Sequence, residues 1–333
     1  MDKSISDEQI KRARALIDRV VVWDNHGCMP VARPSDTSFL PRLQRYRDAG
    51  IDAVTLNIGF GDHGIEDHFR TLASMRRWLL DRPEHYLLIH DASDVALASR
   101  TDRLAVAFDI EGANAIGDQI SLLESYRALG VRWMLLAYNR NNRVGGGCQD
   151  KDMGLTPFGH DVVREMERLD MLVCLSHTGH ITARDVLAMA RNPVIFSHSN
   201  PSAVRPHPRN IPDELIRACA ESGGLIGISG VGAFLGDNDS RSETYARHID
   251  HVVQLVGPNH VAIALDHVFD VDELNAGLAS MLHLFPPELG YRLPVAMVAP
   301  EQLPEVVAIL QSWGYAEEDL ARILGGNLLR LMQ

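Results

Sequence analysis

The chain has 333 residues, 46% of them hydrophobic and 23% charged, with a formal net charge of −12. That is ordinary globular composition. It offers no basic run to grip a phosphate backbone and no apolar stretch near the ~20 residues of a membrane span, so nucleic acid and membrane are both excluded as partners. The four cysteines (Cys28, Cys148, Cys174, Cys219) have no paired spacing, and the charged N-terminus lacks the apolar segment of a signal peptide; both point to reduced thiols in a soluble, cytoplasmic protein.

In chain order, Ser6 or Asp7 caps a helix over 8–18, and the first apolar run is 20–23 (VVVW). Further short, β-rich runs follow at 53–58, 104–110, 133–138, 172–176, 194–197, 225–229 and 261–265. A ninth run, 86–90, fits either an accessory strand or a helix start. Thr182 precedes a helix over 183–191, and Pro212 opens another to about Glu221, ended by Gly223 and Gly224. Near-continuous apolar strands alternating with helices predict a parallel sheet covered on both faces. Eight such units predict a closed (β/α)8 barrel of the TIM type. The alternative, an open doubly wound sheet, lacks a GxGxxG after its first strand. With no repeat and no linker-like composition, residues 1–333 read as one barrel domain, a short N-terminal helix and C-terminal helices packing on it.

Metal-binding residue types recur at the ends of these strands: His26, Glu111, Tyr138, His177, His198 and the pair Asp266 and His267. A barrel assembles its active site at that face from several strands. Glu111 follows a buried strand, where an unpaired carboxylate is costly, so it needs a cation. His177 and His198 end consecutive strands and should be neighbours; a neutral pair of core histidines is the competing reading. Asp266 ends an apolar strand and is the strongest candidate for a buried acid or base. Other histidines, among them His68, His85, His248, His251 and His283, fall in helical or loop patterns and read as surface residues. Some barrel hydrolases bridge two metals with a carbamylated lysine, but none of the three lysines (Lys3, Lys11, Lys151) ends a strand. Glu111 is then the bridge available.

Together, FDIEG at 108–112, GLTPFGHDVVREMERLDMLVCLSH at 154–177, PVIFSHSNPSAVRPHPRN at 193–210, HIDHVVQLVGPNHVAIALDH at 248–267 and ILGGNLLR at 323–330 resemble the membrane dipeptidase (renal dipeptidase) family of zinc peptidases, in its soluble bacterial branch. The resemblance implies a zinc barrel with one or two ions per chain that cleaves a dipeptide or similar small amide through zinc-activated hydroxide. It implies His26 on the first metal, Glu111 as bridge, His177 and His198 on the second, Asp266 as the catalytic aspartate and Arg209 as the substrate-binding arginine. Two positions depart from the family pattern. The first-strand motif Asp-x-His-x-Asp reads Asp24-Asn25-His26-Gly27-Cys28, which puts a thiol in a carboxylate-ligand position, either as a zinc-bound thiolate or as a small buried residue beside an empty first site. A histidine expected after strand four is Tyr138, placed to donate a hydrogen bond to a developing oxyanion and to contact substrate. These departures leave two alternatives open: hydrolysis of another small N-substituted amino acid or amide, and a non-catalytic barrel that has lost its first metal. The partner in every catalytic reading is a small molecule, with a homodimer as an admissible assembly.

Overall fold

A computed structural model describes residues 5–28 and 35–333. Among the described residues, ten strands run in chain order: β1 (Trp23–Cys28), β2 (Ala53–Phe60), β3 (Tyr86–Leu88), β4 (Leu104–Glu111), β5 (Val131–Leu135), β6 (Leu172–Cys174), β7 (Val194–Phe196), β8 (Leu225–Ser229), β9 (Val261–Ala264) and β10 (His267–Val268). All their pairings are parallel, in the order β10-β1-β2-β4-β5-β6-β7-β8-β9, with helices outside. The expected (β/α)8 barrel is thus what the chain forms. Its eighth stave is split: β9 pairs with β8, and β10 pairs with β1. At the break, Leu265 N–H donates to Asp24 Oδ1 (2.8 Å) and Asp266 N–H to the His26 carbonyl (2.9 Å), which closes the ring. The ninth apolar run is the accessory strand β3; it pairs with the start of β4, and β5 takes over from Phe108.

Period-2 alternation divides the core into two layers. Inside the barrel, Trp23 and Trp133 are fitted among Ala53, Ala105, Ala107 and Ala262, small residues leaving room for large ones, and Leu328 joins them from the C-terminal segment. Outside, Val54, Leu56, Val106, Phe108, Ile226 and Ile263 pack against helix residues such as Leu72, Met75, Val162 and Met166. The N-terminal helix is Asp7–Ile17, with Ser6 as its cap in a reciprocal box with Gln9. It buries Ala13, Leu16 and Ile17 and packs against Leu303–Ser312. No helix among the described residues is long and apolar enough to cross a membrane.

Three expectations need correction. The first strand is not 20–23 but starts at Trp23 and runs through the polar Asp-Asn-His-Gly-Cys. Asp24, Asn25 and His26 are buried with at least one partner each inside the protein; Asn25 Nδ2, for example, donates to the Ser197 carbonyl at 2.6 Å. The fourth barrel strand is Val131–Leu135, so Tyr138 lies beyond its end. His68 and His248 are buried, not surface residues: His68 pairs its Nδ1 with the Gly64 carbonyl (2.8 Å) and His248 its Nε2 with the Leu235 carbonyl (2.9 Å).

The strands are irregular at the end that carries the histidines. β1 has an extra residue between Asp24 and Gly27 relative to β2, and β2 has one between Asn57 and Phe60 relative to β4. Such bulges re-aim side chains at barrel rims. At Gly227 of β8, a Cβ would lie 1.9 Å from the Ser197 carbonyl oxygen and 2.7 Å from Asn25 Nδ2, so only glycine lets Asn25 reach across. Asn139, His177 and Asp266 take left-handed backbone (φ +60, +63 and +54), which these residue types tolerate better than most.

Candidate active site

The bulge in β1 brings His26 to the barrel mouth, where its ring stacks on that of His198 with centroids 3.8 Å apart. Glu111, at the end of β4, sits beneath three imidazoles: its Oε1 is 3.6 Å from His26 Nε2, 3.3 Å from His177 Nε2 and 3.0 Å from His198 Nε2. His177 and His198 Nε2 are themselves 3.0 Å apart. Cys28 joins His26 and Glu111 within a span of 4.8 Å, and Asp266 Oδ1 lies 3.7 Å from His26 Nε2. All six of these sequence-predicted residues therefore converge. His267 does not: its Nε2 faces Arg45 (3.3 Å), which is paired with Glu301.

The far side of each imidazole is engaged. His26 Nδ1 lies 2.6 Å from Asp109 Oδ2, which also accepts from Trp133 Nε1 at 3.0 Å. His177 Nδ1 lies 2.7 Å from Asn139 Oδ1, and His198 Nδ1 lies 2.8 Å from Ser197 Oγ. A side-chain amide oxygen only accepts, so His177 must carry its proton on Nδ1 and aim an Nε2 lone pair at Glu111 and His198. A carboxylate on His26 Nδ1 imposes the same tautomer there, and the buried His26 Nε2 has no hydrogen-bond partner. Lone pairs and a carboxylate oxygen crowded within about 3 Å need a cation between them, and outer partners on Nδ1 are what orient imidazole ligands. The donor set of imidazoles, carboxylate and thiol fits zinc.

The electrostatics agree with that fit. Burial, helped by the Arg209 and His26 charges, holds His177 and His198 well below the usual histidine range, hence neutral and able to ligate. Burial pushes Glu111 up to about 8 and raises Asp266, partly offset in both by His26. His26 differs: burial opposes its charge, but the Asp109 and Glu111 carboxylates outweigh it and raise the pKa, so a proton competes at its Nε2 with any metal it would hold. Burial lifts the Cys28 thiol to about 12. A cation bound among these groups would offset their burial and favour the ionised forms.

Around the centre, Ser229 Oγ donates to Asp266 Oδ2 at 3.0 Å. Tyr138 stacks on His177, with centroids 4.2 Å apart. Arg209 is buried, donating from Nη1 to Ser199 Oγ (2.9 Å) and from Nη2 to the His198 carbonyl (2.6 Å), while its Nε has no partner. Above lies a cavity of about 80 Å³ whose polar lining, among the described residues, is Cys28, Glu111, Tyr138, His177, Asp266 and Tyr291, the other described lining residues being apolar. Lys151 is exposed and lines none of it.

Sequence reasoning missed Asp109, Asn139 and Ser197, which orient the imidazoles. A signal existed for Asp109, two residues before Glu111 and so on the same face of a strand. It also missed the segment after β10, which roofs the cavity and follows no strand-end rule.

The family model described as "Membrane dipeptidase (Peptidase family M19)" matches residues 10–283. A dipeptidase named tcpJ from Claviceps purpurea (strain 20.1) is 31% identical over 272 residues, 81% of this chain; the match spans 60% of that relative's length. Among solved structures, an amidohydrolase from Pseudomonas aeruginosa superposes with a TM-score of 0.84 at 24% identity, covering 96% of this chain and 98% of its own. A metallopeptidase from Rhodobacter sphaeroides, liganded with a phosphinate mimic of the dipeptide L-Ala-D-Ala, gives 0.74 at 20% identity over 94% and 98%.

Proposed function

The chain belongs to the membrane dipeptidase family, Peptidase family M19, and from that premise we propose that it is a zinc-dependent hydrolase of a dipeptide or similar small amide. His26, Cys28, Glu111, His177 and His198 would hold the metal. The observation that carries the reading is the convergence of three Nε2 atoms on Glu111 Oε1, with His177 fixed by Asn139 to present a lone pair. Zinc held by these residues would supply Lewis acidity to polarise a carbonyl and acidify water.

The protein's own groups do the rest. Asp266 stands 3.7 Å from His26 Nε2, at the rim of the ligand set, so it takes the proton of the attacking water and returns it to the leaving nitrogen. The Ser229 hydroxyl and the break in the eighth stave hold its carboxylate in place. Tyr138, with its phenol kept protonated by burial, donates to the oxyanion as the carbonyl becomes tetrahedral. Arg209, anchored through Nη1 and Nη2, has its Nε–H and remaining N–H groups for a substrate carboxylate. The largely apolar lining lowers the local polarity and so strengthens each of these interactions.

The test is a panel of dipeptides and N-acylated amino acids, assayed with the parent protein and with Asp266→Asn. The parent should hydrolyse members of the panel, and the variant should keep its zinc while losing 10²-fold or more in turnover. A metal-replete parent inert across the panel would refute the proposal, and near-parental rates in the variant would remove Asp266 from the mechanism.

A further inference from the structure

The cavity is not evenly furnished, and the asymmetry bears on what it holds. Arg209 lies behind the lining on the β7–β8 side, against Phe234, bonded to Ser199 and the His198 carbonyl. The other side, over β10 and β1, carries an apolar cluster separate from the barrel core. Val268, Leu274 and Leu278 are buried in it, with Phe285, Val295, Met297 and Cys28 packed against them. An amide whose carboxylate end is held by Arg209 and whose carbonyl lies over the imidazoles therefore points its acyl end at this cluster. Among the described residues, the carboxylates lining the cavity are Glu111 and Asp266, which the proposed mechanism already occupies with metal and with the proton in transit. A free α-ammonium on the acyl side would thus leave water for apolar walls with no carboxylate reserved for it, which is costly. The cavity is small, about 80 Å³, which favours a short acyl chain.

We infer that the acyl side of the scissile amide is uncharged, small and apolar, so that the preferred substrate is an N-acyl amino acid rather than a dipeptide with a free amino terminus. This rests on the hydrolase reading above and names the substrate class for the same site.

The test is a matched pair: an N-propionyl amino acid and the alanyl dipeptide of the same amino acid, which differ by the α-ammonium. The inference expects the N-propionyl member to have a kcat/KM at least tenfold higher. It also expects Leu274→Asp, which adds a carboxylate to the apolar wall, to narrow or reverse that preference. Equal or better turnover of the dipeptide by the parent overturns the inference and leaves the hydrolase reading standing. If neither member is cleaved, the hydrolase reading is in trouble on its own, and calorimetric binding of the two uncleaved ligands to the zinc-loaded protein decides the inference. Tighter binding of the N-propionyl member supports it; equal or weaker binding overturns it.

Discussion

Replacing Asp109 tests whether the pocket is built to orient metal ligands. Its Oδ2 receives both His26 Nδ1 (2.6 Å) and Trp133 Nε1 (3.0 Å), while its buried Oδ1 has no partner. In Asp109→Asn the amide oxygen can take the place of Oδ2 and keep both bonds, but the negative charge behind His26 is lost. Charged hydrogen bonds contribute about 1–1.5 kcal/mol more than neutral ones. That difference falls on the metal-bound imidazole and corresponds to roughly a tenfold weaker zinc Kd. The new NH2 occupies the position of Oδ1 without an acceptor, a cost of about 1–3 kcal/mol that lowers Tm with or without metal and does not change zinc affinity. Asp109→Ala removes the orienting bond as well and should reach the upper part of the 10–100-fold loss typical of such partners. Zinc Kd measured by competition with a chromophoric chelator separates the two effects, with Tm recorded alongside. A Kd for Asp109→Asn within twofold of the parent, with only Tm reduced, would refute the view that Asp109 tunes His26 as a ligand.

Other consequences are as direct. His177→Ala and His198→Ala should each lower the zinc content measured by atomic emission; two variants with full parental zinc would show that this half of the site is misassigned. Tyr138→Phe keeps the ring stacked on His177 but removes the hydroxyl, so kcat should fall by about 10²–10³ with KM little changed; an unchanged kcat would exclude the phenol from oxyanion binding. If the Cys28 thiolate ligates zinc, Cys28→Ser should bind less metal and Cys28→Asp should move the pH–rate profile to lower pH, because a carboxylate donates less charge to the metal; parental zinc content and profile in Cys28→Ser would rule the thiolate out. Burial holds His68 and His248 at about 4, below the usual 6.5. Between those values the unfolded chain binds protons that the folded one does not, so stability falls as pH drops from 6.5 to 4, by on the order of 3 kcal/mol per histidine. Denaturant midpoints across that window should decline in the parent and decline less in His248→Gln; equal slopes would argue against the assignment.

The parts legible in the sequence are those governed by periodicity and by desolvation. Runs such as 225–229 are buried on both faces, so apolar continuity located them to the residue. Glu111 and Asp266 stood out because a carboxylate closing an apolar strand demands a partner. What escaped depends on groups distant in sequence. β1 was misplaced because its polar residues are satisfied from elsewhere, Asn25 by Ser197 and the Asp24 carboxylate by Leu265 N–H. His68 resembled a surface residue of an amphipathic helix, yet it sits against Gly59, where a Cβ would come within 2.6 Å of its ring. The imidazole-orienting partners were hidden for the same reason, since Asn139 and His177 meet through a left-handed turn at each residue that no local pattern announces. The apolar wall on Val268, Leu274 and Leu278 follows from how the chain returns over the barrel mouth after β10.

The central claim is that the cluster on Glu111 holds zinc and that hydrolysis depends on it. Stripping the protein with chelator and titrating zinc back, while recording bound zinc per chain and amide hydrolysis on the same samples, tests both halves together. The expected result is that hydrolysis is absent in the stripped protein and rises with bound zinc to a plateau at one or two ions per chain, and that His177→Ala fails to reach it. Hydrolysis that persists in metal-free protein, or zinc that binds to the same stoichiometry in His177→Ala with no change in rate, would contradict it.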